Sequence, residues 1–273
     1  AFILVFRLGV AGASLATVLS QGVSGLACLV YMVKKFPILH MSREERQLDI
    51  RSCRALCFMG VPMGLQYSIT AIGSIFLQSA VNSLGSLYVA GVAAGSKLFQ
   101  LLGCPYDAMG ATMATYCGQN VGAVKLDRLG KGVRACSLLG LIYALIAFGG
   151  MLLFAPQGAM LFLDPTEPEL ATLVDLTAQY IRTLTAFFFP LALVNIVRFS
   201  IQGMGFSGLA ILAGVMEMIA RTAVGVIFVP MFGYTAACFA SPAAWVCADL
   251  FLTPACMGSI NRLRKIYEKE PEA

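Results

Sequence analysis

The stretch Ala55–Ser96 reads ALCFMGVPMGLQYSITAIGSIFLQSAVNSLGSLYVAGVAAGS and contains no charged side chain. A soluble protein could not present so long an uncharged stretch to water. A membrane-spanning helix needs about 20 apolar residues, so this stretch is long enough for two of them. The tetrad Asn82-Ser-Leu-Gly near its middle is typical of a tight turn. We therefore expect two membrane-spanning helices joined by a short hairpin.

The composition of the whole chain indicates the same class of protein. Hydrophobic residues make up 59% of the sequence and charged residues 12%, which is typical of a polytopic membrane protein. The net charge of +5 comes from basic residues spread among the predicted loops, so membrane topology explains it better than binding to nucleic acid. The nine cysteines form no Cys-x-x-Cys pair, and we expect them to be small packing residues. The predicted fold is an all-α bundle of membrane-spanning helices.

Apolar segments elsewhere in the chain extend this prediction to seven full spans. The chain begins within an apolar run at Ala1, so we expect a fragment of a longer protein without a signal peptide. The predicted spans are Gly9–Val33, Ala55–Val81, Tyr88–Cys117, Ala135–Phe154, Leu176–Val197, Ser207–Val229 and Tyr234–Cys256.

Basic residues predict how the bundle is oriented in the membrane. Most of them lie in three regions that the span order places on one side: the linker 34–54, the loop 119–134 and the tail from residue 261. Loops on the opposite side are short, neutral or acidic. Because cytoplasmic loops are enriched in Lys and Arg, the linker and the C-terminus are expected in the cytoplasm of a plasma (inner) membrane protein.

Five charged residues lie well inside predicted spans: Lys97, Asp107, Glu217, Arg221 and Asp249. A charge at the centre of a bilayer costs about 2.5–3.5 kcal/mol on insertion scales, so each needs a partner or a watery cavity. Glu217 and Arg221 are spaced to form an intrahelical ion pair. That pair could be a structural lock between helices, or a site where a cation or proton binds, and the sequence leaves both interpretations open.

The predicted span Tyr88–Cys117 holds a second group of candidates. Pro105 removes a backbone donor and is expected to bend or break the helix, and broken helices facing a cavity are where transporters bind substrates. Tyr106 and Asp107 follow it, and a carboxylate beside an aromatic ring suits an organic cation. Lys97 is a further candidate on this helix. The alternative is that Lys97 and Asp107 each pair with another helix.

Uncharged polar side chains within spans supply the remaining candidates. Gln66, Gln78 and Gln202 are expected to hydrogen-bond neighbouring helices or to face a cavity. Gln66 lies one turn after Pro62 and is the strongest candidate for a cavity wall among the four residues Gln66, Gln78, Asn82 and Gln202. Trp245 is predicted to be a packing residue or part of a cavity wall.

Two further predictions concern the cytoplasmic side of the spans. Asp249 could reach water or pair with Arg198, which also lies near a span end on that side. The motif Gln119-Asn-Val-Gly122 is predicted to end a helix, with Asn and Gly accepting left-handed geometry.

The sequence contains no sign of enzymatic chemistry. It has no nucleophile–base pair and no cluster of metal ligands, and Gly118-Gln-Asn-Val-Gly lacks the Lys of a phosphate-binding loop. We therefore expect a protein that is not an enzyme, that binds no cofactor or metal, and that does not use ATP directly.

Several short motifs together resemble one transporter family, multidrug and toxic compound extrusion (MATE), in its bacterial NorM/DinF-like branches. The resemblance covers nearly the whole chain and identifies it as the C-terminal half of such a protein. It implies twelve helices in two six-helix lobes, and export of organic compounds driven by inward Na⁺ or H⁺ flow. The motifs are Gly9-Val-Ala-Gly-Ala-Ser-Leu-Ala-Thr, Gly60-Val-Pro-Met-Gly-Leu-Gln, Val81-Asn-Ser-Leu-Gly, Gly118-Gln-Asn-Val-Gly-Ala, Arg198 with Gln202-Gly-Met-Gly, Glu217-x-x-x-Arg221 and Pro242-x-x-Trp245.

The resemblance also implies a division of the chain. Residues 1–33 would end the N-terminal lobe with part of helix five and helix six, residues 34–54 would be a cytoplasmic linker, residues 55–260 the C-terminal six-helix lobe, and residues 261–273 a cytoplasmic tail. The implied partners are membrane lipid, a small-molecule substrate and the rest of the N-terminal lobe. One departure is that helix seven, Ala55–Val81, lacks the acidic residue described for many members.

The predicted function is secondary active export of organic compounds, cationic ones in particular, in exchange for Na⁺ or H⁺. One alternative is a lipid-linked oligosaccharide flippase of similar architecture. Such flippases commonly line their cavity with several basic residues, whereas acids and bases are mixed here. Another alternative is a truncated membrane protein that does not transport.

Overall fold

The computed structural model describes residues 9–37 and 49–269, and these ranges contain α-helices and no β-strand. The predicted all-α fold is confirmed. The N-terminal residues 1–8, His40 with most of the linker, and the last four residues lie outside the described ranges. The helices are α1 Gly9–Lys35, α2 Ile50–Leu84, α3 Ser86–Gly122, α4 Asp127–Met160, α5 Leu170–Ala186, α6 Phe188–Gly203, α7 Ser207–Ala223, α8 Val229–Phe232 and α9 Tyr234–Lys269, with a π-helical segment Val224–Phe228 between α7 and α8.

Six of the described helices are long and apolar enough to cross a membrane, or seven if α5 and α6 count as one bent span. A helix is stable in the hydrocarbon core of a membrane because its backbone groups hydrogen-bond to one another, and lipid tails offer them no other partner. The outer surface of α4 is apolar, as expected for a helix in contact with lipid: Leu138, Leu145 and Leu153 are all exposed. Such a surface would be costly in water and is favourable against lipid tails. The chain is a multi-pass membrane protein, as predicted.

Residues 1–54 and 55–273 form two separate compact units. Within the first unit, the apolar segment Ser14–Lys35 of α1 has no buried residue. Asp49 caps the start of α2, because its carboxylate accepts hydrogen bonds from the Ser52 hydroxyl at 2.6 Å and from the Arg51 amide at 3.1 Å. These hydrogen bonds, led by that from Ser52, hold the pKa of Asp49 below its usual value. The predicted linker therefore ends in helix, since α2 begins at Ile50.

The predicted span Leu176–Val197 is wrong as a single helix. It consists of α5 and α6, which meet at Phe187 with a bend of 52°. Pro190 explains the break, because it has no amide hydrogen for the carbonyl of Ala186 and its ring clashes with that carbonyl. The proline was visible in the sequence, but the continuous hydrophobicity of the segment concealed the break.

The turn at Asn82-Ser-Leu-Gly is confirmed. Gly85 alone separates α2 from α3, and its φ of 115° is strained for any residue with a Cβ. In contrast, the helix break expected at Pro105 is not found, because α3 runs unbroken from Ser86 to Gly122. The Tyr143 hydroxyl donates a hydrogen bond of 2.9 Å to the carbonyl of Leu102, near the proline.

The polar segment 119–134 is mostly helical, and only residues 123–126 connect α3 to α4. The helix α3 does end at Gly122, as predicted, but the left-handed residue is Val124, with a φ of 56°. The Asn120 side chain instead donates to the Tyr116 carbonyl at 2.8 Å. Helices in this bundle thus extend past the apolar segments into polar sequence.

The helix α6 lies at the centre of the second unit and packs against α3, α4 and α9. Its crossing with α3 is close because Gly203 lies directly against the backbone of Ala114. A Cβ added at Gly203 would lie 2.3 Å from the Ala114 carbonyl oxygen. This arrangement fixes the position of α6, which carries Asn195, Arg198 and Gln202.

Candidate functional site

A cavity of about 710 Å³ lies within the second unit, lined by residues of α2, α3, α5, α6, α7 and α9. Its apolar wall includes Phe99 and Trp245, whose rings stack with centroids 5.8 Å apart. The sequence prediction for Trp245 is confirmed in both of its forms, packing and cavity wall. The polar and charged lining residues are Ser74, Gln78, Ser96, Gln100, Asp107, Asn195, Arg198, Glu217, Arg221 and Ser241.

The predicted pair of Glu217 and Arg221 is formed on this wall. Arg221 Nη1 lies 3.3 Å from Glu217 Oε2, and Glu217 is only 2% exposed. The two side chains lie on one face of α7 because residues four apart are neighbours on a helix. A five-residue π-helical segment follows α7, and such segments are frequent at functional sites.

Arg198 of α6 is a third member that sequence reasoning did not place here. Its guanidinium donates a hydrogen bond to Glu217 Oε1 and forms an ion pair with that carboxylate. The predicted pairing of Arg198 with Asp249 is not formed as an ion pair among the described residues. Because α6 extends to Gly203, Arg198 is buried inside the helix bundle and is not at a span end.

The buried triad of Arg198, Glu217 and Arg221 contains two positive charges and one negative charge. Arg198 Nε and Arg221 Nη1 are buried without a hydrogen bond in the described part of the chain, although Arg221 Nη1 lies within ion-pair distance of Glu217. Asp249 is half-buried, and its Oδ1 atom lacks a hydrogen bond within the same ranges. Buried charges this poorly satisfied are costly, so the triad is sensitive to any change in its charge.

The candidates on α3 fall into three different environments. Asp107 is exposed on the cavity wall, and it forms no ion pair with another described residue. Lys97 is exposed but does not line the cavity. Tyr106 is fully buried, with ring centroids 5.2 Å from Tyr143 and 5.4 Å from Phe188. The expectation that Tyr106 and Asp107 together hold a cation is therefore wrong, because the Tyr106 ring is packed against Tyr143 and Phe188 and does not line the cavity.

The three glutamine candidates lie in two different environments. Gln202 Nε2 donates to Gln66 Oε1 at 3.3 Å, and both side chains are buried away from the cavity. The strongest sequence candidate, Gln66, is thus a link between α2 and α6 and not a wall residue. Gln78 does line the cavity, where its amide donates to Asn82 Oδ1 at 2.9 Å.

Cysteine labelling provides a test of this cavity. Cys104 is exposed on the cavity wall, whereas Cys117 on the same helix is fully buried. In variants that retain one of these cysteines and no other, a membrane-impermeant charged thiol reagent is expected to modify Cys104 and to leave Cys117 unmodified. Mass spectrometry of the labelled protein measures the extent. Equal labelling of both positions would contradict the assignment of the cavity.

Comparison with known proteins identifies one family model and two relatives that match this chain. The MatE family model matches residues 62–231. The probable multidrug resistance protein YpnP of Bacillus subtilis (strain 168) is 36% identical over 126 residues, which are 44% of this chain and 27% of that protein. The probable multidrug resistance protein YoeA of the same strain is 26% identical over 164 residues, which are 59% of this chain and 35% of that protein.

Solved structures show the same fold. The outward-facing conformation of a multidrug resistance MATE family transporter of the MOP superfamily matches with a TM-score of 0.87 and 21% identity, over 97% of this chain and 59% of that one. A crystal structure of MATE in complex with MaL6 matches equally well, with a TM-score of 0.87, 21% identity and the same shares of both chains. The chain therefore spans little more than half the length of these transporters.

Proposed function

Because this chain belongs to the MatE family, we propose that the protein carrying it exports organic compounds, cationic ones in particular, in exchange for Na⁺ or H⁺. The match over residues 62–231 places the chain among membrane transporters. Two relatives are named as probable multidrug resistance proteins, which supports drug-like cargo. The observation that carries the proposal is the cavity with Asp107 on its wall and the buried triad beside it.

The size and lining of the cavity support binding of an organic molecule. Ligand pockets for drug-sized molecules have volumes of about 300–1,000 Å³, and this cavity measures about 710 Å³. Aromatic rings and short polar side chains share its surface. In the complete transporter we propose that an N-terminal lobe supplies the facing wall.

The position of Asp107 supports the proposal that the transported compound is positively charged. Its carboxylate is exposed on the wall, with no ion-pair partner among the described residues, and Phe99 and Trp245 line the same cavity. A cation in this space would gain attraction from the carboxylate and about 0.5–2 kcal/mol from each ring face that it meets. Asp107 is therefore the proposed substrate-binding carboxylate of this lobe.

Glu217 is the proposed coupling residue. Its carboxylate holds Arg198 of α6 and Arg221 of α7 together. Binding of a proton or Na⁺ to Glu217 would cancel its charge and leave the two guanidiniums to repel each other. Such a change favours a different arrangement of α6 and α7, which is how an ion can bias a two-state transporter.

The proposed location is the plasma (inner) membrane, with the linker 34–54 and the C-terminal tail in the cytoplasm. The support is the clustering of basic residues in the sequence segments 34–54, 119–134 and 261–273, because such clusters favour the cytoplasmic side. Arg264 of α9 lies 3.3 Å from Asp127 at the start of α4, so these two ends are adjacent. Lys34 and Lys35 end α1, and the enrichment of bases at cytoplasmic ends predicts this orientation.

Replacing Asp107 by asparagine is expected to reduce export of a cation such as ethidium about tenfold, since contacts to charged groups contribute more than neutral ones. The measurement is ethidium efflux from proteoliposomes containing the full-length protein, with Na⁺ and pH gradients imposed separately. Asp127→Asn, at an exposed position outside the cavity, is the matched control and should retain efflux. Absence of efflux under both gradients in the wild-type protein would overturn the proposed function.

A further inference from the structure

A second cavity, of about 540 Å³, lies between α4, α6 and α9 and is distinct from the one described above. The two cavities use different sides of α6. Asn195 and Arg198 line the first, whereas Leu193 and Val197 line the second. We call this second cavity the α4–α6–α9 groove.

Most of the groove is apolar. Its apolar lining residues are Val133 of α4, Leu193 and Val197 of α6, and Met257 and Ile260 of α9. The helical spacing of these residues produces a continuous apolar strip parallel to the helices. An extended hydrocarbon chain fits such a strip, because it buries apolar surface without needing hydrogen bonds.

One end of the groove is basic. Arg134 and Arg264 line it there, together with the amide of Asn261. Arg264 lies 3.3 Å from Asp127, but that carboxylate is 93% exposed and the pair is screened by water. Arg134 is exposed and forms no ion pair with another described residue. Two guanidiniums are therefore available beside an apolar groove.

We propose that the α4–α6–α9 groove binds one phospholipid with an anionic headgroup, such as phosphatidylglycerol. An acyl chain lies along Leu193, Val197 and Ile260, and the headgroup phosphate accepts hydrogen bonds from Arg134 and Arg264. This site is separate from the transport cavity and goes beyond the proposed export function. With the orientation proposed above, it opens to the cytoplasmic leaflet, where anionic lipids attract basic residues.

Charge and shape together favour this occupant over others. A zwitterionic lipid fills the apolar groove equally well, but its positive group opposes the two guanidiniums. A free phosphate ion satisfies the guanidiniums, which bind phosphate strongly, but leaves the apolar strip empty. An anionic phospholipid is the ligand that matches both parts of the groove.

The test is lipid binding to the full-length protein in detergent, measured by native mass spectrometry. Phosphatidylglycerol and phosphatidylcholine with identical acyl chains are titrated separately. The wild-type protein is expected to bind phosphatidylglycerol about 30-fold more tightly, which is the combined contribution of two basic contacts at a membrane surface. The double variant Arg134→Gln/Arg264→Gln is expected to lose this preference, while its affinity for phosphatidylcholine changes less than about twofold.

The matched control is Arg262→Gln, which removes one charge from the same helix. Arg262 lies over the ring of Phe206, 5.6 Å from its centroid, and does not line the groove. This variant should retain the preference. A second variant, Ser137→Trp, fills the groove and is expected to weaken binding of both lipids, which keeps the proposal testable if the double variant does not fold.

Several results would overturn the proposal. They are equal affinity of the wild-type protein for the two lipids, an unchanged preference in the folded double variant, and no retained lipid at all, as expected if a protein segment covers the groove. Displacement of the lipid by millimolar glycerol phosphate would also overturn it, because that outcome identifies a site for free anions.

Discussion

Replacement of Glu217 by glutamine is expected to abolish export and to lower stability. The substitution retains the shape of the side chain and removes the only carboxylate that forms ion pairs with Arg198 and Arg221 in the described structure. Leaving buried charge without its partner typically costs about 3–5 kcal/mol. The measurements are thermal unfolding of the full-length protein in detergent and ethidium efflux from proteoliposomes.

A double variant separates the structural role of Glu217 from its role in coupling. Glu217→Gln/Arg221→Gln removes one charge of each sign, so the triad keeps its original net charge. We expect this variant to recover much of the stability lost by Glu217→Gln and to remain inactive in efflux. Its recovery would follow from having one buried guanidinium to satisfy where the single variant has two.

The coupling proposal fails if the double variant exports, because a merely structural carboxylate can be replaced once the charge is balanced. It also fails if Glu217→Gln alone confers full drug resistance in cells. Dependence of efflux on pH or on Na⁺ in the wild-type protein identifies the ion. In a folded Glu217→Gln protein, that dependence should disappear together with transport.

Replacement of Gly203 by alanine is expected to produce the largest loss of stability among single-methyl additions on α6. The new Cβ would lie 2.3 Å from the Ala114 carbonyl oxygen and 2.9 Å from the Ala114 Cα. Both are backbone atoms of α3, so the two helices must move apart. Overpacking usually costs about 1–3 kcal/mol, and we expect a value near 3 kcal/mol because no flexible side chain can give way.

The control lies at the same helix crossing. An added Cβ at Gly118 of α3 would lie 3.5 Å from the Gly203 carbonyl oxygen, which is an ordinary contact. Gly118→Ala should therefore be tolerated or slightly stabilising, because alanine favours a helix by about 1 kcal/mol over glycine. Thermal unfolding of both variants in the same detergent tests this contrast. Equal unfolding temperatures for the two variants would show that the backbone contact is not a constraint.

Gly203→Ala also connects packing to function. Arg198 lies five residues earlier on α6, so displacement of this helix moves its guanidinium away from Glu217. We expect any folded Gly203→Ala protein to show impaired efflux, although residue 203 does not line the cavity.

The class of the fold and several of its local features follow from sequence patterns alone. Helices in lipid must satisfy their own backbone groups within one segment, so apolar length alone identifies them. The pair of Glu217 and Arg221 was also predictable, because four residues on a helix define a distance. Gly85 was expected in a turn because few other residues adopt its backbone conformation. Pro190 carried an equally local signal, which the surrounding hydrophobicity concealed.

In contrast, the contacts between side chains of different helices depend on how the helices pack. Arg198 is 19 residues from Glu217, and Gln66 is 136 residues from Gln202, yet each pair is joined by a hydrogen bond. Asp107 faces the cavity while Tyr106 is buried and Lys97 does not line it. Successive side chains on a helix point about 100° apart around its axis. Which of them face the cavity therefore depends on how the whole helix is rotated about that axis. That rotation is set by packing against several neighbours at once, such as the Gly203–Ala114 contact, and no local pattern encodes it.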